Sequence, residues 1–144
     1  MSDGSGITKA AAPFIRIFIY GTLLPGQSNH RLAAAYMEGS VPGRIAGRLV
    51  DVRDYPAAVL DEQAMKQRST IRGLWIQVTR EGLAEMDKLE EFFGIEEKND
   101  YERVWTCDCE SPGRSGWVYV WPNDRNYPAI VGDSWTVYFT EKEK

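Results

Sequence analysis

Histidine and cysteine are scarce in this chain of 144 residues, which contains one histidine, His30, and two cysteines, Cys107 and Cys109. A catalytic triad needs a histidine beside its nucleophile, and a zinc site needs several His, Cys or acidic ligands at suitable spacing. Two cysteines that alternate along one predicted strand are also poorly placed to form a disulfide bond with each other. We therefore expect no metal, no cofactor and no activated thiol, and we interpret both cysteines as packing residues.

Positive charge and long apolar runs are lacking as well. The chain has 17 Lys and Arg against 21 Asp and Glu, so its net charge is −4, and its pI is about 5.1. Proteins that bind nucleic acids usually carry a basic surface, so we expect no nucleic-acid partner. No window holds the roughly eighteen apolar residues of a membrane span, and no apolar secretory signal opens the chain. We expect a cytoplasmic monomer or small homo-oligomer without a membrane partner.

What the chain does contain is enough apolar material for one packed core. Apolar residues make up 43% of the sequence and aromatic residues 12%, which is typical of a folded domain of this length. Residues 1–13 are rich in Gly, Ser and Ala without periodicity, and they are predicted to form a flexible tail. Residues 14–140 are predicted to form a single domain.

Predicted strands outnumber predicted helices. Alternating or continuous apolar runs predict strands at residues 14–20, 44–52, 57–60, 70–78, 101–109, 116–121 and 135–139. Helical periodicity predicts helices at residues 30–37, ended by Gly39 and Pro42-Gly43, and at residues 80–92, capped by Thr79, whereas residues 61–68 are interpreted as a loop. The strands follow one another without regular helical crossovers. The predicted fold class is α+β: a small mixed β-barrel or curled sheet of six to seven strands with two main helices outside.

The stretch from Phe14 to Asn29 combines a buried strand, an abrupt glycine turn at Gly21 and a helix that Ser28 or Asn29 can cap. Such an arrangement leaves backbone N–H groups at one point, where they favour an anion. The stretch contains neither GxGxxG nor GxxxxGK[ST], so a small anion is a better fit than a nucleotide. An ordinary strand–turn–helix explains the same pattern, and the residues alone favour that simpler interpretation.

The second predicted helix carries a carboxylate on its apolar face. At about one hundred degrees per residue, Glu90 shares an arc with Leu83, Met86 and Phe93, whereas Glu91 points away from it. A buried carboxylate is costly unless it is paired, hydrogen-bonded or protonated. Desolvation would raise the pKa of Glu90 towards the range that suits proton transfer. Periodicity alone leaves two alternatives open: a position at the rim, or pairing with a buried arginine.

Ordered motifs along the chain resemble the gamma-glutamylcyclotransferase-like superfamily, in particular its short bacterial-type members. The segments that carry the resemblance are YGTL at residues 20–23 with Gly26 and Asn29, GRIAGRLV at 43–50, YPA at 55–57, IRGLWIQV at 71–78, MDKLEEFF at 86–93, Tyr101 with Arg103, GWVYVW at 116–121 and Gly132-Asp133. The chain departs from the family pattern at two positions of the LDxxEG motif, where Met86 replaces leucine and Glu91 replaces glycine.

The resemblance implies a reaction that needs neither metal nor cofactor. A transferase or lyase of this kind releases 5-oxoproline from a gamma-glutamyl amine, because the α-amine of the substrate attacks its own γ-carbonyl. Glu90 matches the catalytic glutamate of the family and would act as general base and then general acid. This is the residue that helical periodicity had already placed among apolar neighbours.

The resemblance also implies a set of substrate-binding residues. The backbone N–H groups of Gly21, Thr22 and Leu23 would hold the substrate carboxylate or the developing oxyanion. Pocket tyrosines are expected at Tyr20, Tyr101 and Tyr119, although core packing explains Tyr101 and Tyr119 equally well. Arg103 is expected either to hold a carboxylate or to pair with Glu90.

Two other functions fit the same sequence. One is a non-catalytic protein of the same fold that binds a small molecule without turning it over. The other is an interaction or nucleic-acid-binding module on a small barrel, against which the net charge of −4 counts. The identity of the leaving amine is not encoded in any motif of the chain.

Overall fold

The computed structural model describes residues 14–89 and 101–142, which form seven strands and four helices. The strands are β1 (Phe14–Ile19), β2 (Met37–Ala46), β3 (Arg48–Asp51), β4 (Pro56–Val59), β5 (Thr70–Thr79), β6 (Glu102–Cys107) and β7 (Ser115–Trp121). The helices are α1 (His30–Tyr36), α2 (Glu62–Gln67), α3 (Arg80–Leu89) and α4 (Trp135–Lys142). The predicted tail at residues 1–13 and the predicted continuation of α3 beyond Leu89 lie outside the described residues.

All seven strands belong to one sheet, in the order β2-β5-β1-β7-β4-β3, with β6 paired to β7. Strand β7 pairs antiparallel with β6 along its length and parallel with both β1, at Trp117, and β4, at Val120 and Trp121. A strand has only two edges, so β1 and β4 share one edge of β7 and must diverge there. The sheet is therefore curled into a half-barrel, which confirms the predicted α+β fold.

The second half of β1, Ile17–Ile19, is buried on both faces, which explains its run of apolar residues. Ile17 and Ile19 join a core cluster that also contains Ala33 of α1 and Met86 of α3. Phe18 and Tyr20 point to the opposite side and join a second cluster built around Trp75 and Trp135. Helices α1 and α3 thus cover one face of the sheet, and α4 covers the other.

The predicted strand at residues 135–139 is wrong, because this segment is the helix α4. Its aromatic and β-branched residues favour a strand locally. Helical spacing, however, stacks the rings of Trp135 and Phe139 with their centroids 4.9 Å apart, and it brings Tyr138 within 6.0 Å of Trp135. Packing of these rings against the sheet outweighs the local propensity.

The predicted loop at residues 61–68 is also wrong, because it contains the short helix α2. The carboxylate of Asp61 accepts a hydrogen bond from the N–H of Ala64, and Arg68 ends the helix in the left-handed region with φ of 54°. An aspartate at the N-cap position is the local signal that predicts this helix. The segment was interpreted as a loop because α2 is short and mostly polar.

The prediction that Gly39 and Pro42-Gly43 end the first helix is wrong, because α1 already ends at Tyr36. Gly39, Pro42 and Gly43 lie within β2, which follows α1 directly. Gly43 is required there because a Cβ atom would lie 2.3 Å from the indole Cδ1 of Trp75. The predicted strand at residues 44–52 is divided into β2 and β3 at Gly47, whose φ of +148° is accessible mainly to glycine.

Candidate functional site

A cavity of about 260 Å³ opens where β1 ends. Its walls come from the loop after β1, the turn between β3 and β4, the end of α3 and two tyrosines of the β6–β7 hairpin. The lining residues are Phe18, Ile19, Tyr20, Gly21, Thr22, Leu23, Ser28, Asn29, Asp54, Tyr55, Pro56, Leu89, Tyr101 and Tyr119. The structure therefore brings together six of the predicted site residues, which come from distant parts of the chain. A cavity of this size suits a ligand of amino-acid size rather than a nucleotide.

The loop after β1 is folded by its own hydrogen bonds. The N–H of Asn29 donates to the carbonyl of Thr22 at 2.8 Å, its side-chain amide donates to the Thr22 hydroxyl at 3.0 Å, and Nδ1 of His30 lies 2.8 Å from the carbonyl of Leu23. Within residues 14–89 and 101–142, the N–H groups of Thr22 and Leu23 have no acceptor. Both residues line the cavity. Backbone N–H groups without a protein acceptor favour an anion, and binding of an anion by this loop stays a prediction.

The predicted side-chain cap of α1 is wrong. Asn29 occupies the N-cap position, but its side chain makes no capping hydrogen bond and is used to hold Thr22 instead. Ser28 lines the cavity. The polar residues before α1 therefore shape the loop and the cavity rather than the end of the helix.

Gly21 allows the loop to pass close to the opposite wall of the cavity. A Cβ atom at this position would lie 2.8 Å from Cγ of Pro56, closer than two carbon atoms that are not bonded can approach. A larger residue would push the loop away from the β3–β4 turn. The glycine is thus needed for the width of the cavity.

The hydroxyl of Tyr20 lies in the fork where β1 and β4 separate. It donates to the carbonyl of Tyr119 at 2.7 Å and accepts from the N–H of Ala58 at 3.0 Å. Both main-chain groups are buried. The hydroxyl of Tyr20 gives each of them a hydrogen-bond partner at the point where β1 and β4 diverge. Tyr20 lines the cavity, but its phenol oxygen has a structural function that the sequence did not suggest.

We expect Tyr20→Phe to destabilise the protein by about 2 kcal/mol, because it leaves the buried carbonyl of Tyr119 and the N–H of Ala58 without a partner. Urea unfolding measures the effect. Tyr127→Phe is the matched control, because this tyrosine is 38% exposed and its hydroxyl has no hydrogen bond within residues 14–89 and 101–142; it should change the free energy of unfolding by less than about 0.5 kcal/mol. Equal stability of the two variants would contradict the structural role of Tyr20.

Tyr101 and Tyr119 are buried tyrosines that face the cavity. The hydroxyl of Tyr101 donates to the carbonyl of Pro56 at 2.9 Å, and that of Tyr119 donates to Oδ1 of Asp87 at 2.5 Å. A phenol has one proton to donate, and its oxygen can still accept hydrogen bonds. On this side the cavity therefore presents two tyrosine side chains, across from the loop that carries the N–H groups of Thr22 and Leu23.

Arg103 is not among the described residues that line the cavity. Its guanidinium contacts both carboxylate oxygens of Asp87 at 2.9 Å and lies over the ring of Trp117, 5.4 Å from its centroid. Arg103 therefore acts on the cavity through Asp87, which in turn holds the phenol of Tyr119. The resemblance implies that Arg103 holds a substrate carboxylate or pairs with Glu90, and this role stays a prediction.

Asp87 is a residue of this region that the sequence analysis did not single out. It lies on α3, 20% exposed, and holds both Arg103 and Tyr119. It occupies the aspartate position of the LDxxEG motif, three residues before Glu90, and residues at this spacing share one face of a helix. That position in the motif was the available signal.

Glu90 itself lies outside the described residues, so its catalytic role stays a prediction. Its environment is partly described: Leu89, the last described residue of α3, lines the cavity. Met86 is fully buried and Leu83 is half-buried on the same helix, as the predicted apolar arc requires. Helix α3 thus reaches the cavity at the residue before Glu90.

The described residues contain no group of three or more His, Cys, Asp or Glu side chains placed to hold a metal. Cys107 and Cys109 are both exposed, so the interpretation of these cysteines as packing residues is wrong. They lie at the outer end of the β6–β7 hairpin, where the side chains have no core to enter. In the part of the chain that the structure describes, no helix is long and apolar enough to cross a membrane.

Comparison with known proteins agrees with this geometry. Residues 17–137 match the gamma-glutamyl cyclotransferase, AIG2-like family. A gamma-L-glutamyl-butirosin B gamma-glutamyl cyclotransferase of Niallia circulans is 36% identical over 125 residues, covering 85% of this chain and 76% of that protein.

Solved structures share the fold at lower identity. An uncharacterised protein of Pyrococcus horikoshii superposes with a TM-score of 0.64 at 17% identity, covering 90% of this chain and 96% of that one. An AIG2-like protein of Mus musculus superposes with a TM-score of 0.57 at 22% identity, covering 81% and 85%. These likenesses concern the fold alone, whereas the sequence match covers most of the chain. The chain therefore belongs to the gamma-glutamyl cyclotransferase, AIG2-like family.

Proposed function

We propose that this protein releases 5-oxoproline from a gamma-glutamyl amine, with Glu90 as general base and then general acid. One observation carries the proposal: a cavity of amino-acid size is lined together by Thr22 and Leu23 of the loop after β1, by Tyr101 and Tyr119, and by Leu89 at the end of α3. A gamma-glutamyl group has matching chemistry, since it carries a carboxylate, an ammonium and a carbonyl that becomes an oxyanion.

The described walls suggest an orientation for the substrate. The N–H groups of Thr22 and Leu23 would bind the carboxylate or the oxyanion, because both are anions that need donors. The side chains of Tyr101 and Tyr119 would flank the substrate and position its α-amine. With the carboxylate held at the loop, the γ-carbonyl and the departing amine extend towards the mouth of the cavity.

The reaction needs no protein nucleophile, and Glu90 would carry one proton in two transfers. Glu90 takes a proton from the α-ammonium, the amine nitrogen attacks the γ-carbonyl carbon, and a five-membered ring closes through a tetrahedral oxyanion. When the bond to the leaving nitrogen breaks, that nitrogen receives the proton from Glu90, and the ring nitrogen gives its second proton to the released amine, which departs as an ammonium ion. The attacking group is tethered to its target, so proximity supplies much of the acceleration.

We expect purified protein to release 5-oxoproline from at least one gamma-glutamyl amide in a panel of amino-acid, lysine ε-amine, polyamine and aminoglycoside amides. Chromatographic detection of 5-oxoproline measures the product directly, and heat-inactivated protein controls for spontaneous cyclisation. Saturable binding of these amides without product would instead support a small-molecule-binding protein of the same fold.

A further inference from the structure

Asp54 is a carboxylate at the mouth of the cavity that the reaction does not use. It lies in the turn between β3 and β4, is exposed, and lines the cavity together with Tyr55. It forms no hydrogen bond or ion pair with any residue of segments 14–89 and 101–142. By contrast, the nearby carboxylate of Asp51 is held by Tyr138 and Lys142.

A shallow groove continues outward from the cavity. It is lined by Gly26, Gln27, Ser28, Asp54, Phe139 and Thr140. Ser28 and Asp54 belong to both concavities, so they form the boundary between the cavity and the groove. A group that leaves the cavity through this opening passes the carboxylate of Asp54.

Among residues 14–89 and 101–142, no basic side chain lines either concavity. The closest candidate in α4 is Lys142, whose ammonium is bound 3.0 Å from both carboxylate oxygens of Asp51 and 2.9 Å from the carbonyl of Arg53. Within the described part of the chain, the opening therefore presents the carboxylate of Asp54 without an ion-pair partner, beside the ring of Phe139, whose centroid is 5.9 Å from the ammonium of Lys142. Ammonium groups interact favourably with both.

We propose that Asp54 selects gamma-glutamyl amides whose leaving amine carries a second, positively charged amino group. This inference rests on the proposed function, because the gamma-glutamyl part must occupy the inner cavity for the amine to extend past Asp54. The substrate class is then a gamma-glutamyl diamine or polyamine, and neutral monoamines are poorer substrates.

Two amides that differ in one group test this inference. Gamma-glutamyl-putrescine ends in an ammonium, whereas gamma-glutamyl-n-pentylamine has a methyl group at the same place. We expect the wild type to prefer the putrescine amide about fivefold in kcat/KM at low salt, the effect of one partly exposed ion pair. Added salt should reduce this preference.

Asp54→Asn should abolish the preference, measured as the ratio of kcat/KM for the two amides within the same variant. Glu110→Gln is the matched control, because it removes one negative charge at the opposite end of the β6–β7 hairpin from Tyr119 and should keep the preference. A wild type that treats both amides alike, or a preference that survives in Asp54→Asn, would overturn the inference.

The same experiment separates this inference from the proposed function. Release of 5-oxoproline from the pentylamine amide supports the proposed function whatever the role of Asp54. If neither amide is turned over, titration calorimetry of both amides with the wild type and with Asp54→Asn measures whether Asp54 favours binding of the putrescine amide. Tighter binding of the putrescine amide that depends on Asp54 would support the inference, and equal binding would overturn it.

Discussion

Glu90→Gln should lower the turnover of a gamma-glutamyl amide by about 10²–10⁴-fold, the usual contribution of general acid–base catalysis. The amide keeps the shape of the side chain but cannot take the proton from the α-ammonium or return it to the leaving amine. Folding should be preserved or improved, because a neutral amide costs less to bury than an unpaired carboxylate. Steady-state release of 5-oxoproline gives the activity, and urea unfolding gives the stability.

Glu91→Gln is the control for this variant. Both substitutions remove one negative charge from adjacent positions, but residue 91 is about one hundred degrees further round a helix. We expect Glu91→Gln to retain near wild-type turnover. Equal activity in all three proteins would show that Glu90 is structural, and equal loss in both variants would show that the predicted helical phase is wrong.

Asp108→Asn should destabilise the fold by about 3 kcal/mol, although the residue is far from the cavity. The carboxylate is 4% exposed and accepts four hydrogen bonds of 2.9 Å, from the indole of Trp75 and the N–H groups of Arg44, Glu110 and Ser111. It ties the β6–β7 hairpin to β2 and β5. An amide in its place turns one acceptor into a donor, so buried N–H groups lose their partner.

The stabilising role of the Asp108 carboxylate can also be tested by measuring the free energy of unfolding as a function of pH. Burial acts to raise its pKa, but the hydrogen bonds from Arg44, Trp75, Glu110 and Ser111 outweigh burial and lower the pKa from 3.8 to about 2. A lowered pKa stabilises the folded state above about pH 4 by about 2 kcal/mol, and this stability is lost as the pH falls towards 2.

Urea unfolding at pH 7 and between pH 4 and pH 2 measures both effects. We expect Asp108→Asn to lose less stability than the wild type over the acidic range, because it has no carboxylate to protonate. Asp54→Asn, at an exposed aspartate without hydrogen bonds among the described residues, is the control and should match the wild type at both ends of the range. An unchanged acid profile in Asp108→Asn would contradict the assignment.

Elements with long periodic sequences were predicted close to their observed bounds. The predicted bounds of β5 are correct to within one residue, and the predicted start of α3 is correct. The predicted cap of α3 is also correct, because the hydroxyl of Thr79 accepts a hydrogen bond from the N–H of Gly82 at 3.1 Å. Strand β7 was correct to within one residue. In these segments the apolar period extends over several turns or alternations, so one secondary structure fits and the other does not.

Short or aromatic segments were less predictable. Trp135 to Phe139 has the composition of a strand, and only the stacking of its rings against the sheet makes it a helix. Gly43 looked like the end of a helix because glycine often marks one. In the structure it lies inside β2 for a different reason, since the indole of Trp75 crosses its backbone on the way to Asp108.

For the cavity, the local pattern of a strand, a glycine turn and a helix indicated a loop with free backbone donors, although an ordinary strand–turn–helix explained it more simply. The resemblance assigned those donors to Gly21, Thr22 and Leu23. The resemblance added Tyr101 and Tyr119 as cavity residues. Only the tertiary structure showed that the hydroxyl of Tyr20 bridges two strands, since its partner Tyr119 is 99 positions away.

The pairing of Asp87 with Arg103 and Tyr119 was decided by tertiary structure for the same reason. A side chain's place on its own helix follows from the local period, but its partner depends on how a distant hairpin packs against that helix. Local periodicity therefore determined which faces of this chain are buried and where its donor loop lies. The register and curl of the sheet decided which polar groups meet across the cavity, because those contacts join residues that no local pattern relates.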